Sequence, residues 1–378
     1  MSAPSRPLTP AAAFERLQQI VADLIANARV DHPLGVVSYT PAAFGAEYPA
    51  LYLRDFTYMA ESAPGFIPAN HVRAIIDVML AHLSPTGLCP ERISQAGEVI
   101  YVCHGSGPAA DSALFLAKLC AAHQRQGAAP DFAAQVLPKL ERTLAMVPSE
   151  AATGLVWIDP AAPHTGYGFT DTIAITGRHL FCSLLRFEAY KALAALARSA
   201  GQPEAAARHA GEAERIRANL DLLWSPEHGL YFAGSQDCRQ ADVWGSAYAC
   251  VLGAPDAARR HAIARTLYTQ RDRFVWRGQI RHLLLPEHWG RLIVEADWTR
   301  PGEFQNGPFW GTASGWVAET FELHQRGAGL DLLVALTADF AAHGVWECVG
   351  PNGYQRVPQN VSSACLPYAS FERLLLRA

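Results

Sequence analysis

The apolar positions of this chain fall mostly at helical spacing. Twelve stretches read as helices, near residues 11–28, 53–63, 69–83, 108–125, 130–147, 177–199, 203–223, 241–252, 256–269, 309–326, 328–342 and 363–376. The sixth is the clearest. Its Phe181, Leu184, Leu185, Ala189, Ala192, Leu193 and Leu196 repeat at i, i+3, i+4 and form one apolar stripe. Gly201-Gln202-Pro203 ends it and opens the seventh, where Glu204, Arg208, Glu212, Glu214 and Arg215 give a charged outer face. Short connections alternate with long ones over 84–107, 148–176, 270–308 and 344–362. Twelve helices joined this way predict six hairpins closed into a ring, an all-α (α/α)6 barrel. An open solenoid and a stack of bundles are the alternatives. No Pro/Ser-rich linker or composition break divides residues 1–378, so one domain is expected. Structureless loops this long are uncommon unless functional, and a ring of hairpins would gather them on one rim.

Composition narrows the function classes. The net charge is −4 with no long basic run, which argues against nucleic acid as a partner. Met1-Ser2-Ala3-Pro4-Ser5-Arg6-Pro7 lacks the apolar core of a signal peptide, and no apolar run reaches membrane-spanning length. The eight cysteines are scattered without a CxxC pair. They read as reduced thiols of a cytoplasmic protein and give little support to a zinc site. No metal or other cofactor is expected. Oligomeric state is not legible, and a homo-oligomer fits as well as a monomer.

The long connections collect the chemistry. Val345-Trp346-Glu347-Cys348-Val349-Gly350-Pro351-Asn352-Gly353 sets a carboxylate between Trp and Cys beside a turn, so Glu347 is expected at the mouth of a loop. A charged Glu there is costly to bury unless it is paired or its pKa shifts. Arg54-Asp55, in an aromatic setting, can grip vicinal hydroxyls, or can be a buried ion pair at a helix start. Glu91 and Arg92 can line a pocket or pair with each other, while Asp111 reads best as a complement to a helix dipole. Pro163-His164-Thr165-Gly166-Tyr167-Gly168-Phe169-Thr170-Asp171 offers His164, Tyr167 and Asp171, and a turn or N-cap role competes for Asp171. Gln305, Asn306 and Trp310, with Trp276, Gln279 and Arg281 upstream, combine amides, cations and indoles that suit hydroxyl-rich ligands. The Trp residues also fit a helix core.

The order of these segments resembles the glycoside hydrolases of the trehalase and processing α-glucosidase type (families 37 and 63), within the six-hairpin glycosidase superfamily. Gly168-Phe169-Thr170-Asp171 is similar to the segment that carries their general acid. An Ala-rich helix pair follows, then Leu223-Trp224-Ser225-Pro226-Glu227-His228-Gly229-Leu230-Tyr231-Phe232, which is similar to their Leu-Trp…Gly-Tyr hairpin. Asn306-Gly307-Pro308-Phe309-Trp310 resembles an aromatic segment that opens a helix, and Trp346-Glu347…Asn352-Gly353 resembles the one that carries the general base. Thr170 stands where the family has Trp, and Cys348 where it has Lys or Asn. The resemblance implies an inverting, exo-acting hydrolase of a small glycoside or oligosaccharide. Asp171 would be the acid and Glu347 the base, their carboxyl groups about 6.5–9.5 Å apart. Arg54, Asp55, Gln305 and Trp310 would hold the sugar.

Three other readings remain. A sugar epimerase or isomerase on the same barrel would use two histidines, and His104, His164, His282 and His288 lie on the long loops. A polysaccharide lyase would use a Tyr or His base. A non-catalytic helical scaffold should show a short repeat and polar caps, and neither is visible. Should the first carboxylate pair fail, Glu91, Asp111, Asp159, Asp242 and Glu303 are the next acids to consider.

Overall fold

The computed structural model describes residues 8–45 and 47–377. Met1–Pro7, read above for a leader, lies outside them. The helices are Pro10–Ala28 (α1), Leu53–Ser62 (α2), Ala69–Ala81 (α3), Ser112–Arg125 (α4), Phe132–Leu144 (α5), Leu180–Ser199 (α6), Pro203–Asn219 (α7), Val243–Leu252 (α8), Ala257–Thr269 (α9), Ser314–Glu322 (α10), Ala328–His343 (α11) and Ser362–Leu375 (α12). The even-numbered helices pack in succession, α2 on α4, α6, α8, α10 and α12, and α12 packs back on α2. That closes an inner ring. The odd-numbered helices lie outside it, α1 against α11 and α12, α5 between α4 and α6, α9 between α8 and α10. The architecture is the (α/α)6 barrel expected from the helical pattern.

Sequence explains which helix goes where. On α4 every residue from Ser112 to His123 is buried, as a helix packed on all sides requires. On α7 only Ala205, Ala206, His209, Ala213 and Ile216 are buried, a single stripe with a charged face outside it. Helix starts carry local signals as well. Thr9 caps α1 through its hydroxyl, Asp256 caps α9, and Pro203 opens α7. Among the described residues no helix is long and apolar enough to cross a membrane.

The long connections carry small sheets. Ala50–Tyr52, Arg92–Ser94 and Val99–Ile100 form one antiparallel sheet. Val275–Trp276, Gln279–Arg281, Phe309–Trp310, Trp346–Val349 and Gln355–Pro358 form a second, in that order. Two expectations are corrected here. Phe309-Trp310 does not begin a helix, because Trp310 pairs with Ile280 in the sheet and α10 starts only at Ser314. Glu347 sits on a strand rather than at a loop mouth, and its neighbour Cys348 pairs with Arg356.

Candidate active site

Arg54 and Asp55 lie in the first turn of α2, Asp111 at the start of α4 and Ser362 at the start of α12. Three inner helices thus direct their N-terminal ends, with their positive dipole ends, at one region. A cavity of about 370 Å³, counting its mouth, lies there. Its walls are Pro41, Tyr48, Tyr52, Arg54, Asp55, Gly168, Phe169, Asp171, Phe304, Gln305 and Glu347. The connections over 148–176, 270–308 and 344–362 each contribute to these walls. The fourth, over 84–107, reaches the site through Cys103, whose thiol donates to Asp171 Oδ2 at 3.2 Å.

Glu347 is buried, and the Tyr48 hydroxyl donates to it, 2.8 Å from Oε1 and 3.0 Å from Oε2. Arg356 Nε stands 3.7 Å from its Oε2. Burial is the largest influence and pushes the carboxyl up to about 8, against the pull of the Tyr48 hydrogen bond and the Arg356 charge. The charges of Asp55 and Asp171 raise it further. Asp171 is half-buried, and Gln305 Nε2 donates to its Oδ1 at 2.8 Å. The same Gln305 amide donates to the Gly168 carbonyl and accepts from the Thr172 amide and hydroxyl, so it clamps the whole 168–172 turn.

Arg54 forms the other wall. Its Nε donates to Asp111 Oδ2 at 2.8 Å, and its remaining nitrogens stand 3.3 Å from Glu91 and 3.9 Å from Asp55. Asp111 Oδ2 also accepts the Gly168 amide at 2.9 Å, which ties Arg54 to the turn that carries Asp171. The guanidinium lies so close over Gly168 that a Cβ there would overlap it, so only glycine fits. Asp55 accepts from Ser362 Oγ at 3.0 Å, and burial pushes its carboxyl up to about 6 against the Arg54 charge.

The other residues singled out by sequence divide by what they touch. Glu91 is buried behind Arg54 and pairs with Arg92, which lies 5.4 Å over the Tyr52 ring. Tyr167, Gln279, Arg281, Asn306 and Trp310 do not line the cavity. Tyr167 stacks on Phe181 and bonds Tyr58, and Gln279 donates to Asp339. Arg281 is spent on the carbonyls of Gly307, Leu283 and Glu287, and Asn306 holds the Trp289 amide. Trp310 is fully buried among Phe169, Trp244 and Phe304. Trp276 lines a separate recess with Trp346, and His164 packs against Gly107. Asp111 does more than complement a dipole, since it anchors Arg54 and Gly168. Asp242 caps α8, and Asp159 caps its own turn.

Tyr48, Cys103, Arg356 and Ser362 were not anticipated. Tyr48 and Ser362 gain their roles from partners far away in the chain, Cys103 acts through Asp171, and Arg356 reaches Glu347 across the hairpin that the two share. A larger, more open trough lies between α4, α6 and α7. Its buried Lys118 is already paired with Glu188 at 2.6 Å and Glu61 at 3.4 Å, so it offers no free charge to a ligand.

No known family profile matches the chain, and no curated protein sequence does. Solved structures do match. A rhamnosidase from Klebsiella oxytoca with rhamnose bound superposes with a TM-score of 0.69 at 15% identity, covering 98% of this chain and 65% of that one. The chain thus spans about two thirds of that rhamnosidase. The GH63 mannosylglycerate hydrolase from Thermus thermophilus, in complex with Tris, superposes at 0.65 and 16% identity over 94% of this chain and 100% of the other. The chain shares the (α/α)6 barrel fold of these two glycosidases. The GH78 rhamnosidase of Bacillus sp. GL1 shares it too, at a TM-score of 0.66 and 16% identity over 96% of this chain and 35% of that one.

Proposed function

We propose that the chain is an inverting glycoside hydrolase that takes one sugar ring of a small glycoside into this cavity. The carrying observation is that two carboxylates from distant segments, Asp171 and Glu347, line one small aromatic-walled cavity. In this reading Asp171 protonates the glycosidic oxygen as the bond breaks. Glu347 takes the proton from a water that attacks the anomeric carbon on the opposite face. A carboxylate raised to about 8 is a stronger proton acceptor than an ordinary one, though only a fraction of it is ionised at neutral pH. Arg54, Asp55 and Gln305 are placed to hold ring hydroxyls, with Tyr52, Phe169 and Phe304 against the ring's apolar face. The small cavity suits exo action. Among the described residues no histidine lines it, which takes support from a two-histidine epimerase.

Proton NMR of the purified protein with rhamnosides, mannosylglycerate and a panel of α- and β-glucosides tests the proposal. The expected result is a first-formed sugar with the anomer opposite to the bond cleaved, lost in Glu347→Gln and in Asp171→Asn. Release of the same anomer, or turnover that survives both substitutions, would overturn it.

A further inference from the structure

Cys103, His104 and Asp171 bring one thiol sulfur, one imidazole nitrogen and one carboxylate oxygen within 4.8 Å of one another. All three residues are half-buried. The proposed hydrolysis has no use for Cys103 or His104. The thiol and the carboxylate are in hydrogen-bond contact at 3.2 Å, while the His104 imidazole has no hydrogen-bond partner among the described residues. The donors are held in place. The His104 amide donates to Thr165 Oγ1, the Thr165 amide donates to the His104 carbonyl, and Gly105 bridges to His164. Gln305 occupies Asp171 Oδ1 and leaves Oδ2 turned toward the sulfur. A carboxylate ligand supported by an outer hydrogen bond in this way is what a bound metal favours.

We propose that Cys103, His104 and Asp171 form a site for a thiophilic divalent cation of the zinc class, and that its occupancy switches the carboxylate pair off. Sulfur, imidazole and a single carboxylate select zinc or cobalt over magnesium or calcium. Bond lengths of about 2.3 Å to sulfur and about 2.0–2.2 Å to nitrogen and oxygen set adjacent ligands somewhat over 3 Å apart. The thiol-to-carboxylate separation already meets this, and His104 closes the remainder by turning its ring. On binding, the Cys103 thiol releases its proton to solvent, the sulfur–metal bond forms, and metal-bound waters leave as the three ligands enter. A water completes the fourth position. Asp171 then has one oxygen on the metal and the other on Gln305, with none left to carry the proton for the leaving group. This inhibitory half rests on Asp171 being the acid of the proposed hydrolysis; the binding half does not.

The test is titration of the full chain with Co²⁺, followed by the sulfur-to-cobalt charge-transfer band in the near ultraviolet. The other seven cysteines are buried, which isolates the signal to Cys103. One equivalent with a thiolate band is expected, displaced by Zn²⁺, absent in Cys103→Ser, and at least about tenfold weaker in His104→Ala. Thermal melting of both variants checks that they fold. No band in the wild type, or a band that persists in Cys103→Ser, overturns the site. Zn²⁺ is then added to the hydrolysis assay. Loss of turnover in step with occupancy, reversed by a chelator, supports the switch. Full occupancy with full turnover overturns it and removes Asp171 from the acid's role, while the metal site itself stands.

Discussion

Tyr48 and Glu347 are 299 residues apart in the chain, and the hydroxyl of one donates to both carboxylate oxygens of the other. That bond stabilises the ionised form of a carboxyl that burial holds protonated up to about pH 8. Tyr48→Phe removes it and leaves the burial, so the apparent pKa of Glu347 climbs. Hydrogen bonds to charged groups contribute about 1.5–3 kcal/mol, which is roughly 10- to 100-fold in the ionised fraction. With Glu347 as base, kcat/KM should rise with pH through about 8 in the wild type. In Tyr48→Phe the rising limb should move alkaline, and activity at neutral pH should fall by about tenfold or more. A pH profile of kcat/KM checks both. A rate that falls through that range instead would make Glu347 the acid.

The same carboxyl sets the stability of the protein against pH. Glu347 titrates near 8 and Asp55 near 6 in the folded chain, both above the ordinary carboxylate range. Each therefore takes up a proton on folding. Their stabilising effect is full below the ordinary range and is lost as pH rises through about 6 and then about 8. Glu347→Gln removes the buried charge and should raise the melting temperature by several degrees at pH 8.5 and by little at pH 5. Melting curves across that range measure it. Equal shifts at both pH values would mean that Glu347 is not held protonated. A gain in stability with loss of turnover is the usual exchange at a strained site.

Asp111 is the post to which Arg54 and the Gly168 amide are both tied. Asp111→Ala leaves a buried guanidinium short of one partner and an amide with none. Breaking a buried charge pair in this way costs about 3–5 kcal/mol. Denaturant unfolding should show a loss of that order for Asp111→Ala and a smaller one for Asp111→Asn, which keeps an acceptor.

Gln305 holds Asp171 in place through Oδ1 and touches the same turn at three further points. Gln305→Leu should lower kcat by about 2- to 10-fold through loss of positioning, the worth of one hydrogen bond to a neutral carboxyl. Circular dichroism should stay unchanged. Retained kcat with a raised KM would make Gln305 a sugar contact only.

The barrel was legible because its helices repeat at helical period, and α4 and α7 even declare inner and outer positions by how much of their circumference is apolar. Helix starts were less legible where a strand intervenes, as at Phe309-Trp310, because cross-strand pairing with Ile280 leaves no local trace. Arg54, Asp55, Asp171, Gln305 and Glu347 could be singled out as polar groups in aromatic loops, and the structure brings these five to one cavity. Tyr167 and Trp310 have the same local look yet turn inward, because the barrel axis needs large rings to fill it and their neighbours are Phe181, Trp244 and Phe169. Tyr48, Cys103 and Arg356 could not be found, since each matters only through a partner that folding delivers.

The closure of α12 on α2 has a consequence for synthesis. Glu347 and Ser362 are made long after their partners Tyr48 and Asp55, with most of the barrel between them. Chains grow at about 5–20 residues per second, so the first half of the site waits tens of seconds on the ribosome for the second. During that wait Arg54 can already be gripped by Asp111 and Glu91, but the cavity has no back wall. No nascent or truncated chain that stops before the Trp346–Val349 strand can contain its full wall. The complete cavity wall therefore arrives late, with the strand that carries Glu347, and the ring seals after it.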